Sequence, residues 1–125
     1  MPLASTTAEN QALNGLDASG APTNLMAATA LHVSTGPSTT GANENANTGG
    51  YARQSTSWNA ASSGSKTNST SLSFSTAGTV QVTYVGQWSS TTYGAGTYGI
   101  GAALTSGVTA ASITIASGAI SYSAS

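Results

Sequence analysis

The sequence predicts a mainly β protein: an antiparallel β-sandwich or jelly-roll-like barrel with a short N-terminal helix or arm. Three observations carry this reading. Apolar residues alternate with polar ones in several short runs, the period of a strand with one buried face. Six or seven such runs recur at spacings of roughly 8 to 15 residues, separated by Gly, Ser and Thr, as in all-β sandwiches and barrels. Ala, Ser, Thr and Gly make up 78 of the 125 residues, and Leu, Ile, Val and Phe only 17. The core must therefore be thin, with two Trp and five Tyr supplying large buried areas that the aliphatic residues do not.

The first element is the exception to the β pattern. Thr6-Thr7-Ala8-Glu9 has the form of a capping box, in which Thr6 accepts from first-turn amides and Glu9 reaches back. Ala8, Ala12, Leu13 and Leu16 then fall on one helical face, so a helix is expected from about Thr7 to Ala18. Asn14-Gly15 weakens its middle and Gly20-Ala21-Pro22 ends it, which makes it too weak to stand without a docking partner. Residues 1–24 are accordingly expected to form a helix or docking arm, and residues 25–125 a single β-domain.

From Met26 the period changes to two, with Thr29, Leu31 and Val33 on one side and Ala28, Ala30, His32 and Ser34 on the other. Gly36 to Gly50 carries turn chemistry throughout and no apolar anchor, which predicts an exposed connection. Tyr51 to Trp58 reads as a second strand and Ser69 to Thr76, with Leu72 and Phe74 on one face, as a third; Ala60 to Lys66 lies between them as a loop. Val80, Val82, Tyr84 and Trp88 alternate with polar residues and are expected to share an inward face, and Gly86 suggests a bulge or a close backbone approach. Tyr98 to Leu104 is a further strand, weakened by Gly99 and Gly101. Ile113 and Ile115, then Ile120 and Tyr122, bracket Ala116-Ser117-Gly118 as a terminal pair of strands joined by a short turn.

Charge is scarce: Glu9, Asp17, Glu44, Arg53 and Lys66 are the charged side chains, His32 is the one imidazole, and there is no cysteine. That composition excludes thiolate metal sites, disulfides and cysteine nucleophiles, and leaves too few cations to neutralise phosphates, so no nucleic-acid partner is expected. Met1 to Asn24 lacks the basic and continuous apolar regions of a signal peptide, and no run approaches the roughly 18 apolar residues of a membrane span, so no membrane partner is expected either.

The motifs that could carry chemistry fail on context. Gly94-Ala95-Gly96-Thr97-Tyr98-Gly99 spells a dinucleotide fingerprint, but no amphipathic helix and no later carboxylate follow it, so a hairpin is expected. Ser63-Gly64-Ser65-Lys66 matches the serine–lysine pair of some acyl-transfer enzymes but lies in a Gly/Ser loop. A triad of a serine with His32 and Asp17 lacks a nucleophile elbow, and His32 is expected to be an ordinary strand residue. Asn43, Glu44, Asn45 and Asn47 could ligate calcium, yet one carboxylate is a poor match for that ion; Asx turns are expected, with Glu44 pairing loosely with Arg53. Asn68-Ser69-Thr70 is a glycosylation sequon that a non-secreted chain does not use. Trp58 and Trp88 could form a sugar-binding platform, though core packing is the simpler expectation. No catalytic, cofactor or metal site is expected, and the protein is expected not to be an enzyme.

Gly41-Ala42-Asn43-Glu44, Tyr51-Ala52-Arg53-Gln54 and Ser57-Trp58-Asn59-Ala60-Ala61, followed by Leu72-Ser73-Phe74, Tyr84-Val85-Gly86-Gln87-Trp88-Ser89 and Gly99 to Leu104, stand in an order that resembles a group of small virion proteins of tailed phages infecting actinobacteria. The resemblance covers about Leu31 to Tyr122. It implies a phage structural protein, first of all a capsid decoration protein that binds and stabilises the outer surface of the major capsid protein shell. It also implies self-association as a homo-oligomer, a trimer being one arrangement, and synthesis in the host bacterial cytoplasm. The alternative it leaves open is a tail or fibre component that binds the host surface.

Overall fold

The computed structural model describes Leu13 and residues 24–123. The fold is mainly β, with antiparallel sheets in a sandwich-like arrangement. Among the described residues the strands are β1 (Ala28–Val33), β2 (Gln54–Ser55), β3 (Ser65–Thr67), β4 (Leu72–Ser75), β5 (Val82–Trp88), β6 (Tyr98–Val108), β7 (Ser112–Ile115) and β8 (Ser121–Ser123). A four-stranded sheet runs in the order β2-β1-β5-β6, and two ribbons pair β3 with β8 and β4 with β7. The expected helix from Thr7 to Ala18 lies outside the described residues apart from Leu13. That side chain is 3 % exposed and belongs to the core of the β-domain.

The core joins Leu31, Val82 and Val85 of the four-stranded sheet to Leu72, Phe74, Ile113 and Tyr122 of the two ribbons, with Met26 and Ile120 beside them. In β4 and β8 buried and exposed residues alternate strictly, so these ribbons have one face in the core and one in water. Strand β1 behaves differently and is buried along its whole length save Val33. Thr29 and Leu31 sit opposite Gln87 and Val85 on the core face, while Ala28, Ala30 and His32 sit opposite Trp88, Gly86 and Tyr84 on the other.

What covers that second face is the segment expected to be an exposed connection. Gly36, Pro37 and Gly41 are buried. The ring of Tyr84 packs on Gly36, and a Cβ on Gly41 would come within 2.5 Å of Trp88 Cζ2. Both glycines have positive φ, +79° and +78°, a conformation open to glycine at little cost. The segment is pinned at its far end, where the Val33 amide donates to Asn43 O (2.8 Å) and the Asn45 amide to Leu31 O (2.8 Å). The anchor is the backbone of Gly36 and Gly41 received under aromatic rings, with Pro37 buried between them, which is why no large apolar side chain marks it.

Three further expectations need correction. The inward face of β5 is not Val80, Val82, Tyr84 and Trp88: Val80 is 54 % exposed, and the buried side chains on the core face are Val82, Val85 and Gln87. The pairing with β1 skips Thr83, Val33 facing Val82 and His32 facing Tyr84, and this extra residue changes the phase of the alternation, as β-bulges do. The terminal strands β7 and β8 do not pair with each other but with β4 and β3. Finally, β3 falls at the end of the stretch taken as a loop, after a two-residue turn in which Ser63 (φ 53°) and Gly64 (φ 76°) lie between Ser62 and Ser65, whose backbones exchange hydrogen bonds of 2.8 and 2.9 Å. Positive φ at both central residues is the geometry of the tight hairpin turn that matches strand twist.

Candidate functional site

The described part of the chain holds three charged side chains, and all three are directed inward. Arg53 closes a bidentate pair with Glu44, Nε to Oε2 at 2.9 Å and Nη2 to Oε1 at 2.8 Å. Its remaining Nη1 donates to the carbonyls of Ser90 (3.0 Å) and Ala95 (2.8 Å) in the β5–β6 connection. The guanidinium lies 4.0 Å above the centre of the Trp88 ring, a cation–π contact strengthened where water is excluded. Side-chain exposure is 0 % for Arg53 and 9 % for Glu44, so the loose surface pairing expected from the sequence is instead a buried fork that ties two loops together. Lys66, 1 % exposed in β3, donates from Nζ to Asn59 O at 3.0 Å.

Tyr51 extends the cluster into the core. Its hydroxyl donates to Glu44 Oε2 (2.9 Å) and accepts from the Leu31 amide (3.0 Å). Burial and the neighbouring carboxylate push the phenol well above its ordinary range, so it remains a donor at all physiological pH. His32 is fully buried on the opposite face of β1. Its Nδ1 is 2.8 Å from Ala42 O and its Nε2 is 3.4 Å from the indole Nε1 of Trp88, whose ring lies parallel to the imidazole. A carbonyl can only accept and an indole N–H can only donate. The ring is therefore the neutral tautomer with its proton on Nδ1. Burial lowers the His32 pKa below the usual 6.5, consistent with that assignment. Gly86 is what makes room: a Cβ there would be 2.5 Å from His32 Nε2, so the glycine marks a close approach and the bulges lie on either side of it.

A second polar chain crosses the core face. Thr56 and Thr29 share a hydroxyl–hydroxyl bond of 2.6 Å, Thr29 Oγ1 donates to Gln87 Oε1 (2.9 Å), and Gln87 Nε2 donates to the hydroxyl of Tyr122 (3.0 Å). This line connects the end of β2 to β1, β5 and β8. Among the described residues no buried side-chain nitrogen or oxygen lacks a hydrogen-bond partner.

The sequence motifs fall into place around these ties. Gly94 to Gly99 belongs to the hairpin between β5 and β6, with Gly94 and Gly96 at positive φ. In the serine–lysine motif Ser63 sits at an exposed turn tip while Lys66 is buried in a strand. Asp17 lies outside the described residues, and both nitrogens of His32 are engaged away from any serine hydroxyl. Asn43 takes a left-handed turn conformation (φ 60°) and bonds Thr35 Oγ1 and Gly36 O; no group of three or more metal-ligating side chains forms among the described residues. Asn68 of the sequon is fully buried and spans the gap between the two ribbons, donating to Thr70 O and Ala116 O and accepting from the Ile120 amide. Trp58 is half-buried, donates to Met26 O (2.8 Å) and packs near Tyr122. With Arg53 on Trp88 and Trp58 against the core, neither indole is laid open as a platform.

Fold and site together define a small antiparallel β module in which, among the described residues, the charged groups, the histidine and the buried phenols are engaged in internal ties. The chain belongs to the family described as podophage GP4 fiber I protein gp80, whose model matches residues 3–123, and it is a structural protein of a phage virion. No curated protein matches it. The family supports the virion class implied by the earlier resemblance, but not actinobacterial hosts and not capsid decoration.

Proposed function

We propose that the protein is a building block of a virion fibre, contributing to an appendage that faces the host a rigid β module whose charged side chains, among the described residues, are turned inward, with copies of the chain in contact with one another. The observation that carries this reading is the match to a fibre family over residues 3–123. The site geometry supports a scaffolding role rather than a catalytic one: Glu44, Arg53 and His32, the groups best suited to acid–base or anion chemistry, are engaged with Tyr51, Trp88 and backbone carbonyls. A buried ion pair is also screened far less by salt than a surface pair, which suits a part exposed to changing media outside the host.

Immunogold labelling of purified particles with an antibody against this chain, together with its copy number from a stained gel against the major capsid band, tests the reading. Gold on the tail-side appendage and few copies per particle are expected. Hundreds of copies, with gold spread over the shell, would establish decoration of the capsid and overturn the fibre assignment.

A further inference from the structure

Residues 36–43 lie over the face of the four-stranded sheet turned away from the core, reaching from β1 across β5 to β6. A Cβ on Gly41 would meet both Trp88 Cζ2 and Tyr98 Cβ, and one on Gly101 of β6 would come within 2.8 Å of Pro37 Cγ. Gly36, Pro37 and Gly41 are buried, while Ser38, Thr39, Thr40, Ala42 and Asn43 are exposed, so this cover is a single layer with water directly outside it. Its ties to β1 are the Gly36 amide on Val33 O (2.9 Å), the Val33 amide on Asn43 O (2.8 Å) and His32 Nδ1 on Ala42 O (2.8 Å). Among the described residues four that are not glycine have positive φ, and three of these, Ser34 (56°), Ser38 (54°) and Asn43 (60°), lie in or beside the cover. Serine rarely takes that conformation, and residues held in it cluster at switch regions.

Beneath the cover lies His32, fully buried. Its Nδ1 donates to Ala42 O and its Nε2 accepts from Trp88, so a second proton, at Nε2, would set two N–H donors against each other. No carboxylate is free to pair with the resulting cation. From β5 Trp88 and Tyr84 face the ring, and from β6 Tyr98, none of them carrying a charge at neutral or acid pH. Glu44 bridges to His32 through the backbone, but its carboxylate already takes two bonds from Arg53 and one from Tyr51. Arg53, stacked on the Trp88 ring, repels an imidazolium. The bond to Ala42 O and the charge of Glu44 favour the protonated ring, and burial outweighs them.

We propose that residues 36–43 are an acid-released cover: a proton taken up at His32 Nε2 lifts them from β1, β5 and β6 and bares the ring of Tyr84 and the outer edge of Trp88, while the core of the β-domain stays folded. Water is one residue layer away, so lifting the cover hydrates the imidazolium without disturbing Leu31, Val82 and Val85 on the core face of the sheet. The bidentate bonds between Arg53 and Glu44 hold the downstream end and set where the lifting stops. Such a local opening costs less than unfolding the domain and is a separate event from it. In the open form the imidazole takes its ordinary pKa of about 6.5. If the closed form stays neutral, lowering the pH from 7.5 to 5 therefore raises the open population about thirtyfold. This goes beyond the fibre assignment and does not depend on it.

Amide hydrogen exchange of the full chain between pH 7.5 and pH 5, resolved by residue and expressed as protection relative to the unstructured rate at each pH, tests this. The range stops above that of ordinary carboxylates, and His32 is the one imidazole in the chain. The amides of Val33 and Gly36, whose bonds the opening breaks, should lose protection by about three- to thirtyfold on acidification. At every pH they should be less protected than the amides of the β4–β7 ladder, and low concentrations of urea should leave them unchanged, because a local opening exposes little surface. His32→Gln, which does not titrate, should flatten the pH response. A loss at Val33 and Gly36 below about threefold, or protection equal to that of the β4–β7 ladder with the same urea response, would overturn the proposal. So would an equal loss in His32→Gln; should that variant not fold, the pH and urea responses of the wild type decide alone.

Discussion

Replacing Arg53 with methionine should destabilise the protein more than any other single change at its surface-facing loops. The side chain is fully buried and makes four hydrogen bonds, two to the Glu44 carboxylate and two to the carbonyls of Ser90 and Ala95. It also covers the Trp88 ring. Methionine preserves much of the volume but leaves Glu44, 9 % exposed, with the Tyr51 hydroxyl as its remaining side-chain donor. Stranding one member of a buried pair costs about 3–5 kcal/mol, a large part of the roughly 5–15 kcal/mol that holds a domain together. Urea unfolding followed by tryptophan fluorescence measures this directly, with an unchanged slope confirming that the folded state is otherwise intact. The double variant Arg53→Met with Glu44→Gln removes both charges, and because a neutral pair can replace a buried ionic one at little net cost, it should recover most of the loss. A single-variant cost below about 1 kcal/mol, with no coupling in the double-mutant cycle, would show that the pair behaves like an exposed one and would refute the argument.

Two other outcomes follow from the opposite face of β1. The unfolded chain binds a proton at His32 near pH 6.5 and the folded chain only at lower pH; stability should be full above that value and fall as pH drops through it. The urea midpoint at pH 5 should lie below that at pH 7, and His32→Gln, which keeps a neutral donor and acceptor, should remove the difference. Gly86→Ala places a methyl group 2.5 Å from His32 Nε2, an overpacking worth about 1–3 kcal/mol. Thermal melting and the near-ultraviolet signal of Trp88 should both shift, and an unchanged melt would mean that the imidazole swings aside without cost.

Local alternation was enough to read β1, β4 and the mainly β class, because Leu31, Leu72 and Phe74 repeat with the pleat. It failed in β5, where bulges change which residues face inward and leave Tyr84 and Trp88 on the side of His32. Strand β3 carries no apolar residue, only Ser65, Lys66 and Thr67, and a central lysine suggests solvent when in fact it is buried. The turn Ala116-Ser117-Gly118 suggested a hairpin, but the side chain of Asn68 bonds both Ala116 O and the Ile120 amide and holds the two arms apart in separate ribbons. Such a partner, 48 and 52 residues distant, leaves no periodic trace. For Glu44 and Arg53 the order along the chain suggested a pair, and the clue to its burial was the scarcity of charge itself: a sequence with five charged residues does not need them for a solvated surface.

The line from Thr56 through Thr29 and Gln87 to Tyr122 bears on a difficulty peculiar to this composition. Where 78 of 125 residues are Ala, Ser, Thr or Gly, neighbouring positions along a strand resemble one another, and sliding β1 by two residues past β5 would keep every side chain on its proper face. Apolar burial alone distinguishes such alternatives weakly, leaving a landscape with several near-equal minima. The four linked polar groups do distinguish them. A displacement of two residues moves Thr29 away from Gln87 by roughly 7 Å, separating a buried amide oxygen from its donor at a cost of about 1–3 kcal/mol. The network thus acts as a key cut into an otherwise repetitive strand, selecting one alignment during folding.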